Sequence, residues 1–216
     1  MADVEVTLQE QIRRIVEQEV REKMSLLPQT AADPAALGLA SFALTTFVLS
    51  YVNAGYLTQA GAVVPLAFFY GGLAQVLAGM WEFRNKNVFG ATAFTSYGSF
   101  WIALGFFNYF SAQLGVKGSA NALGITLIAW TIFTAYMWVA SFRTSGAVLA
   151  TFTALLITFI LLDIGVLHGS TPLVKAAGWT GMLTAAFAWY GSAAVVINNT
   201  FGRTVLPTFT LAGTTR

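Results

Sequence analysis

The sequence predicts an all-α integral membrane protein: six transmembrane helices preceded by an amphipathic N-terminal helix. Three observations predict it. Of 216 residues, 56% are hydrophobic and 9% are charged, whereas about a quarter are charged in an ordinary soluble domain. Six of the nine acids precede residue 25, leaving Asp33, Glu82 and Asp163 for the rest of the chain. Six apolar stretches then follow, each near the roughly 20 residues that cross a bilayer core. So few charges cannot cover a soluble domain of this length, so lipid is the solvent for most of the chain.

Residues 4–24 carry the first pattern. Leu8, Ile12, Ile15, Val16 and Val20 recur at helical spacing, and Glu10, Arg13, Arg14, Glu17 and Arg21 take other faces. Such a helix lies on a membrane surface or against a neighbouring subunit. Pro28 and the run Gln29–Ala32 end it. The organisation is therefore an amphipathic helix and linker over 1–30, a transmembrane domain over 31–200, and a short cytoplasmic tail over 201–216.

The spans are expected at about 37–57, 63–82, 91–112, 120–142, 147–167 and 173–197. Pro65 and Pro172 fall at helix starts, where proline is tolerated. Gly115–Gly118 and His168–Pro172 read as turns. No cleavable signal peptide is expected, since residues 1–30 lack a continuous apolar core. Lys and Arg divide nine to two between alternate sides of this layout, the larger share with both ends of the chain. The positive-inside rule then places both termini in the cytoplasm, in a cell (plasma or inner) membrane.

The titratable groups argue against an enzyme. Cysteine is absent, and the single histidine, His168, falls in a predicted loop. Asp33, Glu82 and Asp163 are too far apart for metal ligation or paired acid–base work, so no metal, cofactor or catalytic residue is expected. No lysine lies deep inside a span to hold a retinal-type chromophore, Lys175 standing at the very start of the last one. A net charge of +2 without a basic patch predicts no nucleic-acid partner.

The spans do contain neutral hydrogen-bonding groups, among them Thr45, Thr46, Asn53, Gln75 and Tyr97. Each is costly in lipid unless it meets protein or water. They serve either as bonds between helices or as the lining of a conduit for a small polar solute. Glu82, close to Arg84, is either half of a surface ion pair or, if buried, a candidate proton site.

The most distinctive stretch is Phe69–Trp101, FYGGLAQVLAGMWEFRNKNVFGATAFTSYGSFW. Two apolar segments each hold a Tyr-Gly-small triplet, Tyr70-Gly71-Gly72 and Tyr97-Gly98-Ser99, with glycines recurring seven residues later at Gly79 and Gly105. That spacing returns to one helix face and leaves a smooth side for a neighbouring backbone.

Together with DPAALGL (Asp33–Leu39) and FGRTVLP (Phe201–Pro207), this run resembles the acetate uptake transporter family. Its members include bacterial succinate–acetate permeases and fungal acetate/ammonia-export proteins. The resemblance covers about residues 33–207. It implies six helices around a central pathway in each protomer, a homohexamer, and small monocarboxylates as substrates: chiefly acetate, with succinate in some members. Passage by anion channel and by proton-coupled symport both follow from it. The family's entrance motif corresponds here to Asp33, Pro34, Ala35, Leu37 and Gly38. Asp33 stands where the family has Asn, and Ala36 where it has a second Pro. The family's narrow point of Phe, Tyr and Leu corresponds to Phe42, Tyr97 and Leu155, the last by spacing alone.

Physically, Phe42 and Leu155 would dewet the path while the Tyr97 hydroxyl hands a carboxylate across. Neutral donors such as Thr45, Thr46, Asn53 and Gln75 would hold an anion weakly enough to release it. The alternative expectation is a channel for a neutral small solute such as ammonia, urea or undissociated acid.

Overall fold

In lipid, backbone polar groups must pair within their own segment, so long apolar runs become helices. The computed structural model describes residues 9–11, 13–20, 32–58, 61–113 and 120–211. From residue 33 the chain forms α1 (Ala35–Asn53), α2 (Val63–Arg84), α3 (Val88–Gln113), α4 (Ala120–Ser141), α5 (Gly146–Leu167) and α6 (Thr171–Phe201). No strand occurs among the described residues; Ser145 and Thr210 make one isolated bridge.

Five of these helices, α1, α2, α4, α5 and α6, are long and apolar enough to cross a membrane. α3 has 26 residues but is not among them. Its Gly90–Ser99 stretch, rich in glycine, threonine, serine and tyrosine, dilutes the hydropathy, and Gly90, Tyr97 and Gly98 are buried within the bundle. The expectation of six apolar spans thus becomes five apolar spans and one long helix with a more polar first half.

Residues 9–11 and 13–20 are helical, with Arg13 Nε donating to Glu17 Oε1 at 3.1 Å. Their apolar residues Ile15, Val16 and Val20 are exposed. The remainder of the predicted 4–24 helix, its linker to residue 31, the Gly115–Gly118 turn and residues 212–216 lie outside the described residues.

The helices close into a ring in chain order. α1 packs along α6, α6 along α5 and α5 along α4; in the other direction α1 packs on α2 and α2 on α3. α3 and α4 meet least, and a 2.9 Å hydrogen bond between Tyr97 and Thr134 ties them. The bundle is apolar outside, where Leu77, Ile132, Ile160 and Leu183 are exposed, and polar side chains such as Ser41, Thr134 and Thr184 are fully buried. That inversion suits a lipid surround.

Glycine sets the closest approaches. A side chain on Gly98 would lie 2.7 Å from the Val76 side chain and 2.8 Å from the Val76 backbone nitrogen. One on Gly79 would meet Thr95, and one on Gly105 would lie 3.2 Å from Ala67. Gly72 and Gly79 of α2 and Gly98 and Gly105 of α3 therefore all lie on the α2–α3 seam. On α6, Gly178 and Gly181 admit the backbone of Ala54 and the side chain of Ser50 in the same way. Hydroxyls add cross-ties: Ser192 donates to the Ala36 carbonyl at 2.7 Å and Thr158 to Thr180 at 2.9 Å. Such bonds average about 0.6 kcal/mol in membranes.

α2 is irregular. Phe69–Ala74 form a π turn, and α-helix resumes at Gln75. The widened turn falls on Gly71-Gly72, the segment with least side-chain resistance to it, and such bulges often sit at functional sites. At the far end of the chain Gly202, at φ +61, ends α6. Asn198 then accepts from Val205 and Leu206, and Gly146 N–H reaches the Phe209 carbonyl at 2.8 Å, which fixes the tail against α5.

Replacing Gly98 with valine should destabilise the α2–α3 pair by about 1–3 kcal/mol, the usual cost of overpacking. Reversible unfolding in mixed micelles reads this. Gly61→Ala, where nothing lies within 4 Å, should leave the midpoint unchanged.

Candidate functional site: two chambers and a constriction

Two cavities in the interior of the ring adjoin each other. One, of about 150 Å³, lies toward the ends of α2 and α4 and the start of α3; Gln75, Glu82, Asn87, Phe94, Thr151 and Phe152 contribute to its wall. The other, of about 40 Å³, lies toward the opposite ends, walled in part by Thr46, Ser50, Asn53, Trp101 and Thr158. We call them the Glu82 chamber and the Asn53 chamber. Three side chains line both: Phe42 of α1, Tyr97 of α3 and Leu155 of α5. All three are buried, and the Phe42 and Tyr97 rings stand 5.7 Å apart between centroids. Three residues far apart in sequence thus form one partition.

Tyr97 enters that partition through its ring. Thr134 Oγ1 lies 2.7 Å from the Trp130 carbonyl oxygen. The Tyr97 and Thr134 hydroxyls share a 2.9 Å hydrogen bond in which either can be the donor. The Tyr97 hydroxyl therefore has a partner on α4. The ring itself is wedged by Phe133 at 5.3 Å and by Trp130 and Phe152 near 6 Å.

Glu82 stands at the wall of the larger chamber, 2% exposed. Asn87 places it. Asn87 precedes α3, accepts the Gly90 N–H at 3.2 Å as a cap, and donates through Nδ2 to Glu82 Oε2 at 2.9 Å. Gly90 makes room, since a Cβ there would lie 2.8 Å from the Glu82 carboxyl. Glu82 Oε1 has no hydrogen-bond partner among the described residues. Arg84 does not pair with it: the guanidinium stands 5.8 Å over the Trp81 ring. Of the two readings of Glu82, burial applies. Gln75, two α-turns earlier and 1% exposed, lines the same chamber with its Oε1 also unpartnered.

The remaining predicted residues separate. Thr46, with its Oγ1 unpartnered, and Asn53 line the Asn53 chamber. Thr45 does not reach either chamber; it packs where a Cβ on Gly71 would touch its Oγ1 and Cβ. In the entrance motif Ala35 lines the Glu82 chamber, Pro34 and Gly38 are buried, and Asp33 and Leu37 are exposed. Asp33 Oδ1 accepts the Ala35 N–H at 2.9 Å, capping α1 with an oxygen that an Asn would also supply. Gly38 lets the Phe94 ring lie 2.7 Å from where a Cβ would stand. Asp163 takes part in neither chamber and accepts from Thr131 at 2.6 Å.

Asn87 and Trp101 are among the wall residues that escaped the sequence reading. Asn87 carried a usable signal, an Asn directly before a helical run. Trp101 did not; it is 3% exposed, lines the Asn53 chamber and has an unpartnered Nε1. A wider cavity of about 550 Å³, walled by Arg143, Ser145, Thr208 and Thr210, adjoins the Glu82 chamber through shared Ala35, Leu39, Asn87 and Val148. Vestibule, chamber, partition and second chamber therefore lie in series. Among the described residues no cluster of His, Cys, Asp and Glu could hold a metal.

Comparison with known proteins gives a consistent result. The chain is 40% identical over 178 residues to the succinate-acetate/proton symporter SatP of Escherichia coli K12, covering 82% of this chain and 94% of that one. It is 41% identical over 194 residues to acetate permease A of Emericella nidulans, covering 82% of this chain and 65% of the relative. The solved structure of the bacterial acetate channel SatP superposes with a TM-score of 0.79 at 39% identity, over 82% of this chain and 99% of that one. The GPR1/FUN34/yaaH family model matches residues 18–213. The chain belongs to the GPR1/FUN34/yaaH family.

Proposed function

We propose that this protein transports acetate and similar small monocarboxylates across a membrane, through the chambers of each protomer. The observation that carries the reading is that Phe42, Tyr97 and Leu155 are common to the walls of two interior cavities, each mostly apolar with a few polar groups in its wall. The printed activities of the 40%-identical symporter and of the permease support it.

Phe42, Tyr97 and Leu155 form the selectivity constriction, an apolar ring that excludes hydrated ions. Gln75 and Glu82 on one side, and Thr46 and Asn53 on the other, receive the carboxylate before and after it. Arg143 at the vestibule raises the local concentration of anions. α3 completes a six-span protomer, held in the membrane by its neighbours. Both termini face the cytoplasm of a plasma or inner membrane, in keeping with the nine-to-two division of basic charge. The protomers assemble as a homohexamer. The protein is not an enzyme and takes no cofactor.

Uptake of labelled acetate into liposomes carrying the purified protein tests the reading; flux no greater than in empty liposomes would end it. Widening the ring by Phe42→Ala or Leu155→Ala should lower the preference for acetate over butyrate by about tenfold or more, the discrimination that a methylene or two gives in an apolar pocket. Tyr97→Ala should alter selectivity far more than Tyr97→Phe, because the ring faces the solute and the hydroxyl faces Thr134. The reverse order would show that the hydroxyl handles the solute.

A further inference from the structure

The two chambers differ in the kind of hydrogen-bonding atom that their walls leave open. On the Glu82 side these atoms are oxygens, Gln75 Oε1 and Glu82 Oε1. On the Asn53 side they are the indole nitrogen of Trp101 and the hydroxyl of Thr46, each without a partner among the described residues. An indole N–H can only donate, and a threonine hydroxyl has one proton to give. Both residues are buried, and a buried donor left open is costly unless something completes it. Trp138 shows the satisfied form, its Nε1 donating to Thr153 at 2.9 Å.

Position on the helices places these donors in one layer. Thr46 follows Phe42 by four residues on α1, Trp101 follows Tyr97 by four on α3, and Thr158 follows Leu155 by three on α5. Each spacing returns to the same helix face about one turn on. The apolar ring is thus succeeded by a ring of hydrogen-bonding side chains, all three in the wall of the Asn53 chamber. Thr158 is engaged, with Ala154 at 2.8 Å and Thr180 at 2.9 Å. Thr46 is not, although Thr151 and Thr184 both donate to the carbonyl four residues back, the ordinary outlet for a threonine inside a helix. Thr45 and Thr95 also lack that bond, but their Oγ1 atoms are pressed against the helix seams at Gly71 and Gly79. Thr46 borders a cavity instead.

Resting on the transport reading above, we propose that the Trp101 Nε1–H and the Thr46 hydroxyl together hold the carboxylate of the solute in the Asn53 chamber, which makes Trp101 a binding residue for the transported anion. The chamber, of about 40 Å³, is well above the roughly 10–15 Å³ that one water needs, and a carboxylate group fits. A hydrogen bond to an ionised acceptor is roughly twice as strong as one between neutral groups. No Lys or Arg lines this chamber, so nothing holds the anion too firmly for release. Leu49, Phe159 and Leu162 supply apolar wall for a short alkyl end.

The test uses the purified full chain in liposomes, with labelled acetate as the probe. Trp101→Phe and Thr46→Val each keep most of the shape and remove the donor. Each should raise the KM for acetate about tenfold or more, the worth of a hydrogen bond to a charged group, without lowering kcat. In wild-type protein carrying 15N in its six tryptophans, one indole N–H resonance should move downfield as acetate is added and stay in place with sodium chloride. That resonance should be the one missing from Trp101→Phe. A fall in kcat at unchanged KM in both variants would mark packing and overturn the site. So would six indole resonances that ignore acetate, or a chloride shift equal to that of acetate. Should a variant fail to fold, or KM and kcat change together, the wild-type indole resonance decides. All of these outcomes leave acetate transport standing, whereas a wild type without acetate flux would remove the transport reading itself.

Discussion

The backbone of α3 at Gly98 lies against the backbone of α2 at Val76 and Gly72, and the rest of the interior depends on that approach. It brings Gln75 and Glu82 of α2 and Tyr97 of α3 to one lumen. With a side chain at Gly98 the two helices would stand further apart. Tyr97 would then leave the reach of Phe42 on one side and Thr134 on the other. Lipid supplies no hydrophobic force to hold helices together, so close packing of small residues is what remains. The two Tyr-Gly triplets are that packing surface.

Within the ring, hydrogen-bond satisfaction sorts the polar residues. Most serine and threonine hydroxyls donate back to their own helix, as Ser41 does to Leu37 and Thr151 to Ala147. Those are structural and satisfied. Among the described residues seven buried side-chain atoms lack a partner: Gln75 Oε1, Glu82 Oε1, Thr46 Oγ1 and Trp101 Nε1 belong to residues that line the chambers, whereas Thr45 Oγ1, Thr95 Oγ1 and Asp163 Oδ1 do not. A buried polar group without a partner is costly unless water or solute completes it. The placement of the four chamber atoms on both sides of an apolar partition, and not within it, is what one expects of a path with two binding zones and a dry step between them.

The sequence carried some of this plainly and some of it not at all. Helix positions were legible because long apolar runs in lipid have one solution. α3 was legible from its motif and length more than from hydropathy, since its glycines and hydroxyls serve the seam. Phe42 and Leu155 look like ordinary packing in isolation, and only the resemblance to a family set them apart. Thr45 and Thr46 are neighbours in sequence but about 100° apart on the helix, so one meets Gly71 and the other a chamber. The direction of the Tyr97 hydroxyl depends on Thr134, 37 residues away, across the least intimate helix contact in the ring. No local pattern reports such a pairing. The π turn at Phe69–Ala74 was likewise hidden, because a Gly-Gly pair permits a widened turn without requiring one.

The central claim is that solute passes between Phe42, Tyr97 and Leu155. The chain contains no cysteine, so a single introduced thiol can be modified without background. The direct measurement is labelled acetate flux through Leu155→Cys before and after reaction with methyl methanethiosulfonate, with labelling followed by mass spectrometry. Leu183→Cys, on the exposed outer face, serves as the control. The account predicts that modification at 155 reduces flux to the level of empty liposomes while modification at 183 leaves it unchanged. Complete modification at 155 with undiminished flux would place the pathway elsewhere.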